Sequence, residues 1–129
     1  MITVGVGASS GCPVGELEDL VVGALADAAV AAEQVRVLAT AEVKRDEPAI
    51  VALAARRAWT FVTFPVEALA AMPVPTPSAT VAAHVGTPSV AEAAALLAAG
   101  PGSELMILKR RSPHATCAVA RTEDAWRGA

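Results

Sequence analysis

The sequence predicts an α/β fold: three layers, α/β/α, around a mixed, mostly parallel five-stranded sheet ending in an antiparallel hairpin. Two observations carry this. From the N-terminus, short β-branched runs alternate with apolar stripes at helical spacing in the order βαβαβ, the pattern of parallel strands with crossover helices. The last two strand-like runs, Glu104 to Lys109 and Ala115 to Arg121, are joined only by Arg110-Arg111-Ser112-Pro113-His114. That connection is too short for a parallel crossover, so these strands should be antiparallel neighbours. With 129 residues the chain is expected to be a single domain, 1–129, able to bury its own core.

The first strand rests on Ile2, Val4 and Val6, β-branched residues suited to a buried strand. Gly5, Gly7 and Gly11 then allow positive φ and close approach, and Pro13 suits a first helical turn. Val14, Leu17, Val21, Ala24, Leu25 and Ala28 form one apolar stripe of a helix ending near Ala32. Cys12 falls at the expected cap, where the helix dipole and free N–H groups should lower a thiol's pKa. Its simplest reading is a small substitute for a capping hydroxyl.

Val35 to Thr40 reads as the second strand, and Ala41 to Arg45 as a connection. Asp46-Glu47-Pro48 opens the next helix with carboxylates at its positive end. Ile50, Leu53, Ala54 and Ala58 supply its buried face, with Arg56 and Arg57 in the last turn. Thr60 to Phe64 is the third strand, cut off by Pro65, and a short helix from Val66 to Ala71 follows. The run Met72-Pro73-Val74-Pro75-Thr76-Pro77-Ser78 is a stiff crossing segment. A short helix over Ala79 to Val85 is expected next, and Ser89-Val90-Ala91-Glu92 matches a capping box for a helix running to Ala99. Gly100 and Pro101 stop it, and the tail from Thr122 to Ala129 is expected at the surface.

Composition excludes several classes. Hydrophobic residues make up 54% of the chain, yet no apolar run approaches the roughly 18 residues that span a bilayer. No export signal is visible, so the expected location is cytoplasmic, with no membrane partner. A formal charge of −3 and the lack of an aromatic-basic patch argue against nucleic acid. Cys12 and Cys117 form neither a metal pair nor a disulfide framework, and His84 and His114 have no metal-ligand spacing. No cofactor is therefore expected. The glycine spacing Gly5-x-Gly7-x-x-x-Gly11 is neither the dinucleotide nor the P-loop pattern, so by itself it means a tight turn or a simple anion site.

Four stretches in register resemble a known family. They are Gly5-Val6-Gly7…Gly11, then Leu38-Ala39-Thr40-Ala41-Glu42-Val43-Lys44-Arg45-Asp46-Glu47-Pro48, then Pro77-Ser78…Val81…Val85 continuing through Gly86-Thr87-Pro88-Ser89-Val90-Ala91-Glu92 to Leu96, and finally Leu105…Lys109…Thr116…Ala118-Val119-Ala120. Together they resemble the CobE family, which is similar to the C-terminal domain of CbiG in cobalamin biosynthesis. The resemblance implies a corrin-ring precursor, a macrocycle bearing many carboxylates, as ligand, and another cobalamin-pathway enzyme as a possible partner. In full-length CbiG it implies opening of a cobalt-precorrin lactone with release of acetaldehyde. The sequence starts directly at the first strand, so the regions that precede the domain there are not expected in it. Where the family's glycine loop commonly carries basic residues, this chain has Ser9 and Ser10.

Ligands of such sheets sit beyond the carboxyl ends of the parallel strands. Strand-end position and resemblance together nominate Gly7, Ser9, Ser10, Gly11, Thr40, Lys44, Glu47, Ser89, Glu92, Lys109 and Thr116 as ligand-binding residues, and no residue as catalytic. Bland roles compete. Glu47 suits the helix dipole, Glu92 is explained by the capping box, and Thr116 is an ordinary β-former. Arg110, Arg111 and His114 read as surface or structural residues. Three function classes follow: a carrier for a corrin intermediate, a hydrolase of its lactone, or a small nucleotide- or anion-binding module.

Overall fold

The structure, a computed structural model, describes residues 1–74 and 89–123. Its sheet has the order β3-β2-β1-β5-β4. The strands are β1 (Ile2–Ala8), β2 (Val35–Ala41), β3 (Thr60–Phe64), β4 (Glu104–Arg111) and β5 (Ala115–Arg121). β1 pairs with β2 and β2 with β3 in parallel, whereas β5 runs antiparallel to both β1 and β4. Four of the five strands therefore point the same way, and the chain closes in an antiparallel hairpin. The helices are α1 (Val14–Asp27), α2 (Pro48–Arg57), α3 (Val66–Ala71) and α4 (Val90–Ala99). The expected helix over Ala79 to Val85, with His84, lies outside the described residues.

Two faces of the sheet carry different cores. On one, α1 and α2 bury Leu17, Val21, Leu25, Ile50 and Leu53 against Val4, Val6, Leu38, Cys117 and Val119. On the other, the alanine-rich α4 lies almost on the backbone. A Cβ placed on Gly5 would come within 1.9 Å of the Ala91 carbonyl oxygen. Only a residue without a side chain fits beneath this helix, and only a helix of alanines packs so close. The Thr3 hydroxyl donates to the Ala95 carbonyl at 2.8 Å, which satisfies a buried polar group at the same contact.

Several boundaries differ from the sequence reading, each for a physical reason. Gly5 and Gly7 are strand residues; among the three glycines of the first stretch only Gly11 takes a positive φ, 81°. Helix α1 starts one residue late, so Pro13 and not Cys12 is its N-cap, and no side chain caps it. It also ends at Asp27, with Ala29 at a left-handed φ of 58°. β4 continues through Arg110 and Arg111, which shortens the hairpin connection to Ser112, Pro113 and His114. Arg56 and Arg57 do more than face the end of a helix dipole. Both donate to Glu18 of α1, at 2.7 and 3.0 Å, and so tie the two helices together.

Candidate functional site

A cleft of about 770 Å³ opens where the carboxyl ends of β1, β2 and β4 meet the start of β5. Its apolar wall comes from Ala8, Ala41, Val43, Val66, Leu69, Val90 and Ala115. Lys44, Lys109 and Arg111 bring positive charge to it, and Glu42 one carboxylate. Gly7, Ser9, Thr40, Ser89, Ser112, Pro113, His114 and Thr116 complete the described lining. Of the nominated residues the cleft thus gathers Gly7, Ser9, Thr40, Lys44, Ser89, Lys109 and Thr116. Ser10, Gly11, Glu47 and Glu92 do not line it.

Those four lie around the wall or behind it. The Gly11 N–H donates to Glu47 Oε2 at 3.1 Å, and the Cys12 N–H to the Ser9 carbonyl at 3.1 Å. The Ser9 N–H is taken by the His114 carbonyl at 2.9 Å. The turn after β1 does hold an anion, but it is the protein's own Glu47. This nearly buried carboxylate also faces the Lys44 ammonium at 3.9 Å, while Lys44 Nζ donates to the Ser10 hydroxyl at 3.5 Å. Lys44 is thereby held between two loops. Glu92 is fully buried, and its Oε2 accepts the Lys109 backbone N–H at 2.8 Å. The hydroxyl half of the expected capping box is present, with Ser89 Oγ accepting the Glu92 N–H at 3.4 Å.

Two hydroxyls on the cleft have defined settings. Thr40 is fully buried and donates to the Val6 carbonyl at 2.7 Å, so it joins β2 to β1 at the base of the cleft. Thr116 lies opposite Gly7 in the β1–β5 ladder. A Cβ on Gly7 would sit 2.8 Å from the Thr116 hydroxyl oxygen, so this glycine makes room for that side chain.

The hairpin end of the cleft is built on Glu16, in the first turn of α1. Its Oε2 accepts the Ser112 hydroxyl and, at 2.6 Å, the His114 backbone N–H. Its Oε1 lies 2.9 Å from His114 Nδ1. The Ser112 hydroxyl, and then His114, hold the Glu16 carboxyl down at about 2. Cys12 behaves opposite to expectation. Burial raises its thiol pKa, and the Glu16 and Glu47 carboxylates add to the rise. Burial likewise pushes Cys117 up to about 11. Neither thiol is primed as a nucleophile. Among the described residues no cluster of His, Cys, Asp and Glu is placed to hold a metal ion.

Arg111 and His114 are cleft residues that sequence reasoning treated as surface or structural. Alternation along β4 holds the signal for Arg111, but only if the strand is carried past Lys109. In the structure Arg110 turns to the other face and pairs with Asp27 of α1 at 2.5 Å. Among the described residues, the Lys109 ammonium and the Arg111 guanidinium form no ion pair.

The chain matches known proteins along nearly its whole length. The family described as cobalamin synthesis G C-terminus matches residues 2–120. Protein CobE from Sinorhizobium sp is 36% identical over 121 residues, covering 92% of this chain and 79% of that protein. A cobalt-precorrin-5A hydrolase from Priestia megaterium is 30% identical over 120 residues, which are 93% of this chain but 32% of the hydrolase. This chain therefore spans about a third of that enzyme's length. The crystal structure of CobE, a protein from the cobalamin (vitamin B12) biosynthetic pathway, superposes with a TM-score of 0.90 at 29% identity, covering 96% of this chain and 95% of that one. The chain belongs to the cobalamin synthesis G C-terminus family and is a cobalamin biosynthesis protein of the CobE/CbiG type.

Proposed function

We propose that the cleft binds a polycarboxylated corrin-ring (precorrin) intermediate, and that the domain acts in the cytoplasm as a carrier or accessory to another enzyme of the pathway. The observation that carries this reading is the pairing of an apolar wall with two cations, Lys109 and Arg111, that form no ion pair among the described residues, together with the tethered Lys44. A macrocycle with an apolar body and peripheral carboxylates matches that arrangement. Its ring can cover the alanine and valine surface while its acid groups reach the cations, as pockets of this class generally combine apolar area with a few placed polar groups. The name of the Priestia megaterium relative, a cobalt-precorrin-5A hydrolase, supports a precorrin as the ligand class. Binding is favoured over catalysis because both described thiols are raised in pKa and the one described histidine at the cleft is already engaged with Glu16.

The test is a spectrophotometric titration of the protein with tetrapyrrole intermediates, followed by product analysis. Saturable binding without turnover is expected. Tight nucleotide binding with no corrinoid binding would replace this reading by an anion-binding module. Release of acetaldehyde by this chain alone would replace it by lactone hydrolysis.

A further inference from the structure

Strand β4 does not pair evenly with β5. Leu105 lies opposite Ala120, Ile107 opposite Val119, Arg110 opposite Cys117 and Arg111 opposite Thr116, with a register shift before and after Ile107. The second shift has a consequence for the cleft. Counting on from Ile107 and Val119 without it, Lys109 would face Cys117 and Arg110 would face Thr116. Cys117 belongs to the core beneath α1, whereas Thr116 lines the cleft. A slip of one residue moves every side chain of a strand to the other face. The bulge therefore decides which basic residues serve the cleft. With it, Lys109 and Arg111 line the cleft and Arg110 reaches Asp27 of α1.

A bulge leaves its extra residue out of the ladder, and its N–H then needs another acceptor. Here that acceptor comes from the helix layer. Glu92, fully buried on α4, takes the Lys109 N–H at 2.8 Å. Sliding β4 into even register would withdraw this donor from a buried carboxylate, which is costly in a water-excluded setting. We infer that Glu92 is a positioning residue, whose carboxylate pins the second bulge of β4 and so selects Lys109 and Arg111 as the cations that face the cleft.

Two measurements on the full chain test this, and only the second rests on the function proposed above. By nuclear magnetic resonance, wild type and Glu92→Gln, which keeps an acceptor oxygen, should show a slowly exchanging Lys109 amide and cross-strand contacts between Arg110 and Cys117. In Glu92→Ala that amide should exchange about tenfold faster, the loss expected for one hydrogen bond. Its contacts should move toward a Lys109–Cys117 pairing. In tetrapyrrole titrations Glu92→Ala should bind more weakly with a shallower salt dependence, Glu92→Gln should restore both, and adding Glu92→Ala to a protein that already carries Lys109→Ala and Arg111→Ala should cost no further affinity. Unchanged Lys109 exchange and cross-strand contacts in a folded Glu92→Ala protein would overturn the inference. If that variant does not fold, Glu92→Asp, which keeps the charge but shortens the reach, is read by the same exchange measurement, and an unchanged rate there overturns it equally. If wild type binds no tetrapyrrole, the proposed function fails, while the resonance measurements still decide the role of Glu92.

Discussion

Single residues show how little of a glycine's or a cysteine's role follows from its position in a motif. Gly5 and Gly7 belong to one apparent loop signature, yet they meet different neighbours. Gly5→Ala would drive a methyl into the Ala91 carbonyl at 1.9 Å and the Ala95 nitrogen at 2.6 Å, both backbone atoms that cannot move alone. It should destabilise the fold by about 3 kcal/mol or more, at or beyond the usual range for overpacking. At Gly7 the obstacle is the Thr116 hydroxyl, a side-chain atom that can rotate. Gly7→Ala should therefore keep nearly wild-type thermal stability while displacing that hydroxyl from the cleft. Similar melting temperatures for the two variants would contradict this. Cys12 was legible as a residue near the start of α1 but not as a core residue, because its burial depends on packing from distant elements. With 6% of its surface exposed, Cys12→Ser should lower stability by about 1 kcal/mol, the low end for a hydroxyl buried without a good partner. Tetrapyrrole binding should be retained. Loss of binding at unchanged urea midpoint would return the thiol to the site.

At the scale of elements, the hairpin between β4 and β5 is anchored through Glu16 more than through its own turn. Ser112 and His114 both bond to this one carboxylate. Because the folded protein holds Glu16 at about 2, below its ordinary 4.5, the sign of the pH effect is set. The ionised form is favoured by folding, so this stabilisation is complete above about 4.5 and disappears as the pH falls through the window down to about 2. Urea midpoints should decline across that window in wild type. In Glu16→Gln the midpoint should be lower at neutral pH, and its fall with acid should be shallower. Parallel pH profiles would remove Glu16 from the account. None of this anchor could be read in the sequence, where Glu16 and His114 are 98 residues apart. The elements themselves were far more legible. β3 and α3 match at both ends, because Pro65 separates them and the flanking pattern changes period there. β4 read two residues short because Arg110 and Arg111 resemble a solvated turn. Their place in a strand depends on Asp27 on one face and the cleft on the other, and only the folded sheet supplies both.

For the whole molecule, order along the chain was enough to predict layers and strand directions, since parallel crossovers and a short hairpin leave few arrangements. It was not enough to compose the site. Strand ends and the cap of α4 brought seven of the eleven nominated residues to the cleft, but the carboxylates Glu47 and Glu92 went behind its wall, each engaged with a neighbouring loop or strand. That arrangement suits an acidic ligand, because a polycarboxylate meets cations first in a chain whose formal charge is −3. Attraction must then be local, and exposed charges are screened over about 10 Å at 0.1 M salt. Corrin-precursor affinity should consequently fall as salt rises. Lys44→Ala and Lys109→Ala should each weaken it and flatten its salt dependence, with little loss of stability, since partly exposed pairs contribute roughly 0–1 kcal/mol. Arg110→Ala is the matched control. It removes an equal charge one residue away, but from the α1 face, where the side chain pairs with Asp27. If net charge alone governed binding, all three variants would weaken it equally. If the cleft is the site, Arg110→Ala should bind within about twofold of wild type, a difference too small to reflect loss of a direct ionic contact. Spectrophotometric titration of the four proteins at two salt concentrations distinguishes these cases, and wild-type affinity in both lysine variants would place the ligand elsewhere.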